Sequence, residues 1–79
     1  MTDRFMVVFF DPEGYWDYVR PRWRTAGDAV EEAKWLVDRA ATDLRIARVM
    51  ITDEDDFTAF LWERGKGIVY PTEDERTKA

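Results

Sequence analysis

The chain has 79 residues, 46 % hydrophobic and 37 % charged, with a formal net charge of −5. That length makes one domain whose single core supplies only about 3 to 5 kcal/mol, and without cysteine or histidine it lacks disulfides, thiol or imidazole catalysis and the usual zinc site. The acidic balance disfavours direct nucleic-acid binding through the overall field, and no apolar run approaches the ~18 residues of a membrane span. Aromatic residues are 15 % of the chain, four of them tryptophan, so aromatic packing must carry much of the stability.

In chain order, Arg4 to Phe10 reads as a strand, Asp11-Pro12-Glu13-Gly14 as a turn, and Tyr15 to Val19 as a second strand pairing back on the first. Pro12 sets one dihedral of the turn and Gly14 tolerates positive φ. Phe5, Val7 and Phe9 alternate to one side of the first strand and Met6, Val8 and Phe10 to the other, so both sides are apolar. One helix covers only one face of a small sheet. The other face must meet the sheet's own curled edge, a second copy of the chain in a homodimer, or a target. Pro21, within Arg20 to Arg24, cannot donate to a ladder and marks a sheet edge or an exit from the sheet.

Thr25 is placed to cap a helix from about Ala26 to Ala41, with Asp28 near the positive end of its dipole. Ala26, Ala29, Val30, Ala33, Leu36, Val37 and Ala40 form one stripe at ~100° per residue. Trp35 falls on the opposite face, among Asp28, Glu31, Glu32, Asp38 and Arg39. The indole either lies along the Arg39 stem or marks a contact surface.

Leu44 to Ile51 predicts a third strand and Asp53 to Asp56 an acidic loop. Phe57 to Trp62 fits two readings. As a strand it turns at Gly65-Lys66-Gly67 into a last strand, Ile68 to Tyr70. As a helix it has Thr52 for a cap, acids in its first turn and Gly65 at its end. Its Phe, Thr and Trp content favours the hairpin. Pro71 ends the structure, leaving a single α+β domain over residues 1–71 and a flexible polar tail over 72–79. The expected architecture is ββαβββ, an antiparallel sheet of four to five strands with one α-helix packed on one face.

The chemical motifs do not carry through. A calcium loop starting at Asp53 needs Gly and Glu where the chain has Thr58 and Arg64. Gly65-Lys66-Gly67 is far short of a phosphate loop. No activated nucleophile or base stands out, so no catalytic residue, metal site or cofactor is expected.

Two charge clusters remain. Asp53, Glu54, Asp55 and Asp56 are either a solvated turn or a mimic of phosphate spacing for a basic groove, with Phe57, Trp62 and Trp35 as candidate apolar anchors. With Glu31, Glu32 and Asp38 around Trp35 they form the candidate partner-binding set. Arg20, Arg22 and Arg24 interleave with Pro21 and Trp23, either as a solvated edge that blocks strand-to-strand aggregation or as a clamp for phosphate and base.

The segment Arg48 to Pro71, RVMITDEDDFTAFLWERGKGIVYP, resembles the C-terminal part of small proteins carried by phages and prophages of Gram-negative bacteria. The whole chain, short, acidic, cysteine-free and built as strands plus one helix, resembles the phage-borne anti-CRISPR proteins, in particular those against type I surveillance complexes. The resemblance implies a non-enzymatic inhibitor, cytoplasmic in the bacterial host. It would bind a host protein or ribonucleoprotein effector with a basic surface and block target DNA binding or nuclease recruitment. The alternatives are a small nucleic-acid-binding or regulatory protein using Arg20, Arg22, Trp23 and Arg24, or a phage structural or assembly factor.

Overall fold

The computed structural model describes residues 4–72. The element order is β1 (Met6–Phe10), β2 (Trp16–Tyr18), α1 (Ala26–Arg39), β3 (Arg48–Thr52), β4 (Thr58–Glu63) and β5 (Gly67–Tyr70). The strands form one antiparallel sheet in the order β2-β1-β3-β4-β5, with α1 packed against β1 and β3. This is the expected α+β architecture. The tail expected over 72–79 lies, beyond Thr72, outside the described residues.

The β1–β2 turn is closed by its own side chains. Asp11 Oδ1 accepts from the Glu13 and Tyr15 backbone N–H groups at 2.9 Å each, and Gly14 takes φ 96°. β2 is shorter than Tyr15 to Val19: Val19 N–H still reaches the Val7 carbonyl at 2.9 Å, but Pro21 follows and the chain leaves the ladder. It rejoins once, where Phe5 and Arg24 exchange backbone hydrogen bonds of 3.0 Å.

Thr25 caps α1, its hydroxyl accepting from Asp28 N–H at 3.1 Å. The buried stripe is Ala29, Ala33, Leu36 and Ala40, set against Val7, Ile46, Val49 and Ile51. The three alanines let the helix axis sit close to the sheet, and both largest fully buried side chains, Val7 and Val49, lie beneath it.

The third strand begins later than expected, at Arg48 rather than Leu44. The Asp43 carboxylate accepts from Arg45 backbone N–H at 3.0 Å, and Arg64 Nη2 donates to the carbonyls of Ala40, Asp43 and Ile46 at 2.7, 3.0 and 2.6 Å. The loop's polar groups are therefore satisfied without a ladder, and only Ile46 turns into the core. Leu44 is 71 % exposed.

Phe57 to Trp62 resolves as a strand, with bounds Thr58–Glu63. Phe60 and Trp62 lie opposite Ile51 and Val49 on the helix side while Leu61 lies opposite Met50 on the other, a period of two. Gly65 and Gly67, at φ 86° and 78°, make the turn into β5.

Candidate functional site

Trp35 is 53 % exposed and lines an open cleft of about 420 Å³ between the C-terminal half of α1 and the β1–β2 hairpin. Phe9, Leu36 and Ile46 line it from the core, and the strongly exposed Tyr15 and Trp16 border it on the hairpin side. Exposed rings over a partly buried apolar lining give a place for an inserted side chain.

The Arg39 guanidinium lies 5.2 Å from the Trp35 ring centroid and the indole also lines the cleft. Arg39 Nε is 3.6 Å from Asp43 Oδ2, and Arg45 grips the same carboxylate through Nε and Nη2 at 3.0 Å each. The Arg45 side-chain hydrogen bonds first, then its backbone N–H and the charges of Arg45 and Arg39, lower the Asp43 pKa to about 2. Asp43 in turn raises the Arg45 pKa. Asp43 thus stays ionised at neutral pH and holds Arg39 where it can stack on Trp35.

The other sequence candidates do not join this cleft. Glu32 pairs with Arg24 at 3.9 Å and Glu31 with Lys34 at 3.7 Å, while Asp38 and Lys34 border a second groove on the opposite flank of α1. Trp62 lies in that groove, half-buried beside Val30, Val37, Phe60 and Ile68.

The acidic loop is at the other end of the sheet. Met6 pairs with Thr52 at that end and Phe10 with Arg48 at the end nearer Trp35, a separation of about 14 Å along β1 at ~3.4 Å per residue. Asp53 Oδ1 is occupied, accepting from Asp55 and Phe57 N–H at 2.9 and 3.0 Å, and Glu54 pairs with Arg4 at 3.7 Å. Asp55 and Asp56 remain exposed beside Phe57, itself 71 % exposed. The four acids are therefore not a uniform row of charges, and they share no continuous patch with Trp35. Among the described residues no group of His, Cys, Asp or Glu is placed to hold a metal ion.

The basic cluster divides. Arg24 turns toward α1, where its side chain is 12 % exposed and paired with Glu32. Arg20 and Arg22 stack on Tyr18 at 4.9 and 5.4 Å, and Arg22 also lies over Trp23 at 5.0 Å. Sequence reasoning did not place Tyr15 or Trp16 in a site, although their position just after a proline-glycine turn is a signal of exposure. It also missed Arg48 stacked on Phe10 at 5.3 Å, which depends on the β1–β3 register. No family model, curated protein or solved structure matches the chain.

Proposed function

We propose that this protein is a non-enzymatic, phage-encoded inhibitor that docks on a nucleic-acid-handling effector complex and blocks target DNA binding or nuclease recruitment. The observation that carries the protein-binding part is the gathering of Trp35, Tyr15 and Trp16 around one apolar-lined cleft. Tryptophan and tyrosine are the residues most enriched where interface energy concentrates. The likeness to anti-CRISPR proteins supplies the choice of partner.

The cleft takes an apolar side chain from the partner, and its charged lining, Asp11, Asp17 and Asp43 against Arg39 and Arg45, favours a basic surround. Such charge speeds encounter more than it adds affinity, so Trp35 is the anchor. Asp55 and Asp56 form a separate contact that only a broad partner surface reaches together with Trp35.

The test is a gel-shift titration in which the protein is added to a guide-loaded type I surveillance complex before labelled target DNA. Inhibition is expected, weakened roughly 30-fold by Trp35→Ala, the equivalent of ~2 kcal/mol at a central anchor. Asp55→Lys should weaken it less. Unimpeded DNA binding by the complex together with unimpeded nuclease recruitment to the DNA-bound complex overturns the effector assignment. Inhibition indifferent to Trp35→Ala overturns the cleft as the docking site.

A further inference from the structure

We infer that the sheet face turned away from α1 is a binding site for single-stranded nucleic acid, with Arg20, Arg22 and Arg48 holding phosphates across a platform of aromatic side chains. The cleft lies on the helix side, and Trp16, opposite Phe10 in the register, borders both surfaces.

The register places Met6, Val8 and Phe10 of β1, Trp16 and Tyr18 of β2, Met50 and Arg48 of β3 and Glu63 of β4 on this face. No helix covers it, yet Met6 and Val8 are 8 % and 4 % exposed. The chain's own Arg20–Arg24 segment folds back here, Arg22 Nε donating to Met6 Sδ at 3.3 Å. The curled-edge solution is thus realised at one end of the face, and Phe10, Met50 and Leu61 remain only half-buried.

Four of the five cation–π contacts in the described residues lie on this face and its folded-back edge: Arg20 and Arg22 on Tyr18, Arg22 on Trp23, and Arg48 on Phe10. A guanidinium lying on a ring loses rotamer freedom before any ligand arrives, and its fork of N–H donors suits the paired oxygens of a phosphate. Among the described residues Arg22 has no carboxylate partner at all. Arg48 and Lys66 share the single carboxylate of Glu63, each at 3.5 Å, and Arg20 is 3.8 Å from Asp17. The cluster is therefore locally cationic although the chain carries −5 overall.

Asp17 and Glu63 stand among these cations and the Asp53 to Asp56 loop flanks the Met6 end of the face, where Met6 pairs with Thr52, while the acids of α1 lie behind the sheet. Salt screens charges beyond ~10 Å at 0.1 M, so the acids on the far side of α1 weigh little on a strand that approaches the open face. Arginine planes held on Tyr18, Trp23 and Phe10 along an open antiparallel sheet suit splayed single-stranded bases better than a duplex, whose bases are already stacked.

The experiment is fluorescence anisotropy of a labelled oligo(dT), and in parallel oligo(U), of about 15 nucleotides, titrated with the full chain over a salt series. Binding is expected at low salt, falling with a log–log slope of about −2 for three phosphate contacts on a single strand. Arg48→Ala and Arg22→Lys should each weaken binding several-fold, and Arg48→Ala should flatten the slope by ~0.7. Lys34→Ala, the loss of a cation on α1, should change nothing. Because Arg22 variants disturb the cover over Met6, chemical-shift mapping of the unaltered protein is the second measurement. Shifts confined to Tyr18, the Trp23 indole and Met50 support the site. No binding at low salt, equal losses with Lys34→Ala, shifts centred on the Trp35 cleft, or capture by anionic vesicles but not by the oligonucleotides would each overturn it.

Discussion

The helix face and the open face of this sheet are built from the same strands and bury their apolar side chains by different means. Beneath α1, Val7 and Val49 are fully buried by aliphatic packing against Leu36 and three alanines. On the open face, Met6 and Val8 are covered partly by a polar segment whose arginine lies over aromatic rings. Stability is concentrated on the first face. On the second, Phe10, Met50 and Leu61 stay half-buried and charge is held near the surface, an arrangement suited to reversible contact.

The sharpest way to break this comparison is a matched pair. Leu36→Ala should cost about 2 to 4 kcal/mol, most of what a chain this short possesses, whereas Leu61→Ala on the half-buried open face should cost about 1 kcal/mol. Urea midpoints of the two variants measure the difference, and equal losses would show that the faces do not divide stability as described.

Arg64→Ala comes next. It removes the guanidinium donating to three loop carbonyls, at an expected cost of about 1.5 to 3 kcal/mol, with Arg64→Lys restoring only part because an ammonium lacks the fork. Thr25→Ala, which removes the cap that starts α1, should cost about 1 kcal/mol in thermal or chemical unfolding.

Asp43 gives a pH signature of the helix-side rim. Its folded-state pKa of about 2 lies below its ordinary 3.8, so its stabilisation is complete above 3.8 and is lost as the pH falls from there through about 2. Asp43→Asn should flatten the stability-versus-pH curve in that window and leave the neutral-pH slope unchanged. The smallest effect is expected on the open face at Thr52, 5 % exposed with no hydrogen-bond partner for its hydroxyl. Thr52→Val should be neutral or slightly stabilising by thermal melt, since it replaces an unpartnered buried hydroxyl with a methyl group.

Much of the fold is legible in the chain. The Asp11 to Gly14 turn and the Thr25 cap are local features that appear where their residues require them, whereas of the predicted helix stripe Ala29, Ala33, Leu36 and Ala40 are buried and Ala26 and Val30 stay exposed. The third strand was harder to bound. Its β-branched run gives no warning that Asp43 and Arg64, separated by 21 positions, satisfy the loop polar groups before a ladder can. The candidate site was legible in part. Trp35 is conspicuous on a helical wheel, but Tyr15 and Trp16 join it only when the hairpin packs beside α1. The carboxylates of the acidic loop read as four equal charges in a row until one is found to hold the loop's backbone.

By itself the sequence determined the first hairpin, the capped helix and the two apolar sides of β1, because periodicity, capping and turn chemistry act over a few residues, while Phe57 to Trp62 fitted strand and helix alike. Only the tertiary structure decided how those pieces divide into surfaces. Strand register brings Arg48 onto Phe10, the return of the chain after Pro21 brings Arg22 over Tyr18 and Met6, and helix packing separates Trp35 from both Trp62 and the acidic loop. These are contacts between distant segments, set by the geometry of the whole sheet rather than by the preference of any short stretch.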